Sequence, residues 1–322
     1  MIYIFIIILN SFFIYYFDYI SRIINLFDIP NSFRKIHKKK IACIGGFLIL
    51  FNIFIFHLSL IDNFSIFNSK LLLLISFFFF IGYFDDKYNL SAKFKLLATV
   101  FLITTLVFLD DSLLIKSLLF SFTSKSFFLN YSASLLFTVF CFIVYINAFN
   151  FFDGINLQSA IYSLFIFFIF LFKSYNTSLI LSIIIGIIFF IYLNSKNKCF
   201  LGNNGSMLLG FLISYFFIDS YNKNLFFADE IFIIMFIPGI ELLRLFFLRL
   251  SRGQSPMSSD KEHLHHYLLN KYDLIRSNFF IVNLIFIPFI LNFILNLKYS
   301  AYVIIINLFI YFWFIYFLNK KN

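Results

Sequence analysis

Two adjacent carboxylates, Asp85 and Asp86, close an apolar run in GYFDDKYNLSAKFK. If that run is helical, both acids sit at its C-terminal end. The helix dipole disfavours negative charge there, and neighbouring carboxylates repel one another. Something positive must compensate. A hard cation such as Mg2+, which takes oxygen ligands and keeps several waters, would do so. So would Lys87, Lys93 and Lys95, which make the pair a solvated acidic turn. Further on, Asn147, Asn150 and Asp153 recur at every third position in NAFNFFDGIN, with Gly154 and Asn156 just beyond. That spacing places the three on one helical stripe. Amides and a carboxylate at a membrane boundary are costly unless partnered. They read either as a helix–helix hydrogen-bond cluster or, the reading preferred here, as a functional site.

Gly202-Asn203-Asn204-Gly205-Ser206 directly precedes another apolar run. Glycines and a serine at a helix start leave backbone N–H groups free beside the positive helix end, which suits an anion; an ordinary capped loop reads the same way. The stretch RGQSPMSSDKEHLHHYLL holds His263, His265 and His266, three of the five histidines. His263 and His266 share a helical face. Three histidines admit a zinc site, but no Cys and no HExxH pattern supports one. With Arg252, Lys261 and Arg249 the stretch reads as a phosphate- or nucleotide-binding wall, or else as a solvated basic loop. Arg34, Lys35, His37 and Lys38 to Lys40, in IPNSFRKIHKKKIACIGG, either hold lipid phosphate or only mark the cytoplasmic side. Gly45-Gly46, at the next helix start, permits close helix packing.

The elements that carry these residues are set by composition. Of 322 residues, 62% are hydrophobic and 12% charged, more apolar surface than a soluble domain of this length can hide. The net charge of +10 is scattered between apolar runs, which fits a membrane protein and gives no nucleic-acid-binding patch. Cys43, Cys141 and Cys199 form no CxxC pair and read as small buried hydrophobes. Eleven runs approach the ~20 residues a bilayer needs: 1–20, 41–60, 70–84, 96–109, 133–149, 160–172, 178–193, 205–218, 229–248, 279–296 and 300–318. The first lacks a basic n-region and a small-residue cleavage site, so a transmembrane helix is expected. The stretch 110–132 is the weakest, with room for a short or re-entrant piece near Leu113–Phe122. His57, in the second run, is read as structural. The expected fold is an all-α integral membrane protein of about 10–11 transmembrane helices, a single polytopic domain over 1–322. Lysines and arginines concentrate in alternate loops, about 21–40, 85–95, 194–205 and 249–278, and at Lys320-Lys321. Those loops, and with them 150–158, are therefore cytoplasmic, with the N-terminus outside and the C-terminus inside.

Taken in order, PN-x-x-RK-x-H…GG, DD-x-x-x-L-x-x-x-x-K, N-x-x-N-x-x-DG, FLG-x-x-GS-x-x-LG and a late HLHH resemble the polyprenyl-phosphate N-acetylhexosamine-1-phosphate transferases, glycosyltransferase family 4. The resemblance spans about residues 28–270. Each motif alone is weak; five in the family's order are specific. The resemblance implies a reaction in the bacterial plasma (inner) membrane. Undecaprenyl phosphate attacks the β-phosphorus of a UDP-N-acetylhexosamine, UMP leaves, and a lipid-linked sugar begins an envelope glycan of O-antigen, capsule or teichoic-acid type. It implies Mg2+, or Mn2+ in its place, membrane lipids around the site, no nucleic acid, and leaves a homodimer open.

Roles follow from the same resemblance. Asp85, Asp86 and Asp153 would be catalytic, one of the first pair serving as base. Asn150, Asp153, Asn156 and Asn203 would lie at the metal. Asn147, Gly202, Gly205, Ser206, Arg252, His263, His265 and His266 would engage the nucleotide sugar. Arg34, Lys35, His37 and Lys95 would meet the lipid phosphate. The HLHH form resembles the branch that uses N-acetylglucosamine more than the muramoyl-pentapeptide branch. Three positions depart from the pattern: Asn203 and Asn156 stand where relatives carry acid, and Ala42 stands where they carry Pro. The neutral pair admits a shifted metal site or an inactive relative. A transporter is the other class compatible with many spans and buried polar residues. Its sites, however, cluster near the bilayer midplane, whereas these motifs gather at one boundary.

Overall fold

A computed structural model of the chain describes residues 2–30, 39–59, 66–256, 260–295 and 297–320; Arg34, Lys35 and His37 lie outside them. Each of the eleven apolar runs is helical over most of its described residues. The helices are α1 (Ile2–Tyr15), α2 (Phe17–Ile24), α3 (Gly45–Leu58), α4 (Ile66–Tyr88), α5 (Ala92–Leu109), α6 (Tyr131–Phe152), α7 (Gln158–Phe172), α8 (Thr177–Ser195) and α9 (Gly202–Asn222). After them come α10 (Ala228–Ile234), α11 (Phe236–Ser251), α12 (Leu264–Lys271), α13 (Leu274–Ile294) and α14 (Ser300–Asn319). Two runs are each broken into a bent pair: α1 and α2 at 76°, α10 and α11 at 75°. Among the described residues five helices are long and apolar enough to cross a membrane, or seven if each bent pair is one span. Part of the difference from the expected ten or eleven is one of length; α4 and α9, of 23 and 21 residues, are long enough but more polar. Helices α3 and α7 have only 14 and 15 residues, short of a full crossing.

The residues 110–132 hold no helical re-entrant piece. They form a short 3-10 turn followed by an antiparallel hairpin, β3 (Ser117–Leu119) and β4 (Ser126–Phe128). Before it, β1 (Phe27–Asp28) pairs antiparallel with β2 (Ile41–Ala42). Exposure is inverted relative to a soluble protein. Phe101, Leu136, Phe309 and Trp313 face outward, while Asn10, Asn52, Asn292 and Asn307 are buried. That is the arrangement a lipid solvent requires.

The chain divides into two compact units, Met1–Leu102 with Ser159–Ile213, and Ile103–Gln158 with Ser214–Asn322. In the first, the buried amides of Asn10 on α1 and Asn52 on α3 bond reciprocally at 2.7 and 3.0 Å. Gly186 on α8 faces the same pair; a Cβ there would come 2.9 Å from Asn52 Nδ2. Small residues and amide pairs of this kind hold helices together where no hydrophobic effect between them is available. The buried His57 donates from Nδ1 to the Ile53 carbonyl of its own helix at 2.8 Å. In the second unit the hairpin is tied down by Tyr221, whose hydroxyl accepts from Leu119 N–H and donates to the Ser117 carbonyl, each at 2.8 Å.

Candidate active site

In the first unit the adjacent acids of α4 have separate partners. Asp85 is buried and accepts from Lys95 Nζ, on the first turn of α5, at 2.7 Å. Asp86 points the other way, onto the start of α9. Its Oδ1 accepts from Asn203 N–H at 2.9 Å; its Oδ2 accepts from Asn204 N–H at 3.0 Å and from Asn204 Nδ2 at 2.6 Å. The anion that the glycine-rich turn attracts is therefore the protein's own carboxylate, at a positive helix end. Burial pushes the Asp86 carboxyl up to about 6, against the three hydrogen bonds that favour its charged form. Lys87 takes no part and lies 5.7 and 5.4 Å from the Tyr83 and Tyr88 ring centres.

Glycines let this turn be so close. Gly82 lies one turn before Asp86 on α4, on the same face. A Cβ at Gly82 would come 2.1 Å from the Asn203 carbonyl oxygen; one at Gly46, on α3, would come 2.5 Å from Gly205 N. Gly202 itself has φ +73°, a conformation glycine adopts without strain. Gly205 is buried against Leu201 and the Gly46 backbone, and the buried Ser206 hydroxyl lies 3.4 Å from the Asn203 carbonyl. Gly202, Gly205 and Ser206 are thus engaged in packing and backbone geometry within this unit. Asn203 alone of the turn keeps its side chain partly exposed.

In the second unit Asn147, Asn150 and Asp153 are half-exposed while Ala148, Phe149 and Phe152 between them are buried, so the stripe is real. Asn147 Nδ2 bonds back to the Ile143 carbonyl at 2.7 Å. Asp153 ends α6 with ψ 71°, and Asn156 lends its carbonyl to Asn278 Nδ2 at 2.9 Å. The Gly154 turn packs on the histidine loop: a Cβ at Gly154 would lie 2.0 Å from His265 Cε1. His263, His265 and His266 cluster with ring centres 4.4–6.0 Å apart. Burial, reinforced by its histidine neighbours, drives His265 well below the usual histidine range; burial also brings His263 down to about 4. Both rings are therefore neutral at physiological pH. They offer hydrogen bonds and no cationic wall.

The loop's arginines are already engaged. Arg252 Nη1 reaches Glu262 at 3.2 Å, and the buried Arg249 donates from Nε to Asp260 at 2.7 Å. The sequence reading missed what anchors the loop. Glu241, buried on α11, accepts from Leu264 N–H at 2.9 Å, from Arg244 Nε at 3.1 Å and from the Tyr311 hydroxyl. Arg244 in turn donates to the Glu262 carbonyl. The signal was present: an E-x-x-R pair inside an apolar run is expensive and so purposeful.

Among the described residues no group of three or more His, Cys, Asp or Glu is placed to hold a metal ion. A preformed cage is not what Mg2+ needs. It is usually bound through one or two carboxylates plus the phosphates of a substrate. Asp153 supplies one hard carboxylate at the C-terminal end of α6, where unpaired carbonyls favour a cation. Asn150 and Asn156 stand close in the chain with further oxygen donors. This donor set fits Mg2+ and carries less charge than a pair of acids would.

The elements so far define an all-helical integral membrane protein whose acids, amides and histidines gather at helix ends. Residues 69–221 match the model of glycosyl transferase family 4. The chain is 27% identical over 294 residues to the undecaprenyl-phosphate alpha-N-acetylglucosaminyl 1-phosphate transferase of Escherichia coli (strain K12), covering 85% of this chain and 77% of that protein. The proteins of the same name from Salmonella typhi and Thermotoga maritima are 28% and 29% identical over 280 and 249 residues. Those matches cover 81% and 76% of this chain and 74% and 73% of the relatives.

Proposed function

We propose that this protein transfers an N-acetylhexosamine 1-phosphate, GlcNAc 1-phosphate in the first instance, from its UDP-sugar to undecaprenyl phosphate, releasing UMP. The observation that carries the reading is the packing of the Gly154 turn on His265. It joins two of the five motifs, distant in the chain, into one cluster within a unit. The match of 69–221 to the model of glycosyl transferase family 4 and the similarity to relatives of one named activity support it. The concentration of basic residues in alternate loops supports a cytoplasmic site in the inner membrane, with the N-terminus outside.

Transfer forms one bond, from an acceptor phosphate oxygen to the β-phosphorus, and breaks one, to the UMP oxygen, which leaves with the electron pair. Such chemistry is mostly positioning and charge neutralisation. Lys95, now held by Asp85 at 2.7 Å, is the cation an arriving phosphate competes for. Its transfer to the phosphate frees the Asp85 carboxylate beside the attacking oxygen, where it can accept a proton. Asn150, Asp153 and Asn156 would hold Mg2+, which when bound offsets the charge of the diphosphate and leaving group. The neutral His263 and His265 are suited to donate to uridine or sugar oxygens without adding a fixed charge. In this reading the donor passes its sugar phosphate in one step, without a phospho-enzyme.

The test is turnover by the purified protein with undecaprenyl phosphate and a panel of UDP-sugars, with the lipid product identified by mass. UMP release with at least one UDP-N-acetylhexosamine is expected, with inversion at a chiral β-phosphorus. No product from any donor would count against transfer, and retention would indicate two displacements.

A further inference from the structure

Adjacent acids in an active site invite a shared role, but these two differ in what surrounds them. Asp86 spends both oxygens on one turn of backbone, bonding Asn203 N–H, Asn204 N–H and Asn204 Nδ2 at 2.6–3.0 Å. The Asn204 amide is arranged for this. Its Nδ2 donates both to Asp86 and to the Cys43 carbonyl, at 2.8 Å, while its buried Oδ1 is left without a partner. A buried acceptor left unsatisfied is costly, so the arrangement gives up stability to hold the carboxylate. The same turn is knit to the start of α3 by Gly45 N–H to the Phe200 carbonyl at 3.0 Å, Gly46 N–H to the Leu201 carbonyl at 3.2 Å and Phe200 N–H to the Ala42 carbonyl at 2.8 Å. The one polar side chain of the turn that remains partly exposed is Asn203. Asp86 thus grips the backbone on both sides of the residue that faces outward.

We infer that Asp86 is a positioning residue: it caps α9 and fixes the backbone from which Asn203 projects, and it is neither the base nor a metal ligand of the transfer reaction. The inference rests on the transfer reading above and divides the labour of the acid pair within it.

The experiment uses the full chain in lipid nanodiscs and three variants, read by amide exchange over 199–206 and by kinetics. Asp86→Asn keeps the shape but turns an NH2 toward donors. Exchange at Asn203 and Asn204 is expected to speed at least about tenfold, and kcat to fall about 100-fold, the scale of a 1 Å misplacement. The limbs of its pH–rate profile are expected to stay where they are in the unaltered protein. Asp86→Asn combined with Asn204→Asp reverses the polarity of the side-chain pair and returns a carboxylate to the turn. It is expected to regain part of the lost kcat, which neither a missing base nor general loosening would allow. Asn204→Ala, which leaves Asp86 intact, is expected to lower kcat about tenfold and to speed exchange, and serves where Asp86→Asn does not fold. Loss of the acid limb in Asp86→Asn would overturn the inference by making Asp86 the base. Unchanged exchange in Asp86→Asn, or an unaltered rate in Asn204→Ala, would overturn it as well. If the unaltered chain turned over no donor, the transfer reading would fail, and exchange at Asn203 and Asn204 would still decide whether Asp86 holds the turn.

Discussion

Gly82→Ala sets local propensity against packing. In an open helix the change stabilises by about 1 kcal/mol. At Gly82 the added methyl would lie 2.1 Å from the Asn203 carbonyl oxygen, 2.4 Å from its carbon and 2.5 Å from Asn204 Cα. All three are backbone atoms, so no side chain can swing away. Ordinary contact begins at 3.4 Å, so the turn must retreat by 3.4 less 2.1, about 1.3 Å. Asp86 holds that turn through backbone bonds of 2.9 and 3.0 Å, which such a shift carries beyond hydrogen-bonding distance. Bonds to a charged group are worth roughly 1.5–3 kcal/mol each, and overpacking adds about 1–3. Relaxation recovers part of this, and the propensity gain offsets about 1 kcal/mol more. The expected net loss is on the order of 2–4 kcal/mol, with a rate about 100-fold lower. Gly239→Ala is the matched control, because a Cβ there meets nothing within 4 Å; it should be neutral or stabilising. Thermal unfolding in nanodiscs and UMP release read both variants. A Gly82→Ala protein as stable and as fast as the parent would refute the close approach of α4 and the α9 turn.

Glu241→Gln should destabilise by about 3–5 kcal/mol, because Arg244 is left buried with its ion pair broken; a melting temperature equal to the parent's would exclude the anchoring role. The depressed titration of His263 gives a pH dependence of stability. Its value falls from 6.5 to about 4 in the folded chain, so between those pH values the unfolded form binds the extra proton and stability declines as the pH drops. His263→Gln should flatten that slope in unfolding curves measured from pH 7 to pH 4.

The helices were legible because their signal is simple: runs of apolar residues bounded by polar ones, with a length set by the bilayer. The hairpin at 117–128 was not, because strands of three residues are held by distant groups. Tyr221 and Asp229, the second accepting Ser121 N–H at 2.8 Å, make that hairpin, and nothing in residues 110–132 announces them. The bends at Tyr16 and Met235 escaped for the opposite reason: the apolar pattern runs straight through both. At the site, residue types and order were readable, whereas partner choice was not. Asp85 and Asp86 are identical in type and adjacent, and it is tertiary packing, such as the approach of Gly82 to Asn203, that turns one to Lys95 and the other to α9.

That division bears on Asn203, an amide in the first turn of α9. Asn203 follows Gly202 in the first turn of α9, and its own N–H donates to Asp86. A carboxylate at 203 would share that turn with the Asp86 carboxylate, two like charges at one helix end. The positive end of α9 favours each of them by only about 0.3–1 kcal/mol. An amide removes the repulsion while keeping an oxygen able to face a cation or a phosphate. Asn203→Asp should therefore weaken the cap that Asp86 supplies, and amide exchange at 203–204 should be faster than in the parent. Slower exchange in Asn203→Asp would mean that the helix end outweighs the repulsion between the two acids, and that relief of charge is not why the amide is tolerated here.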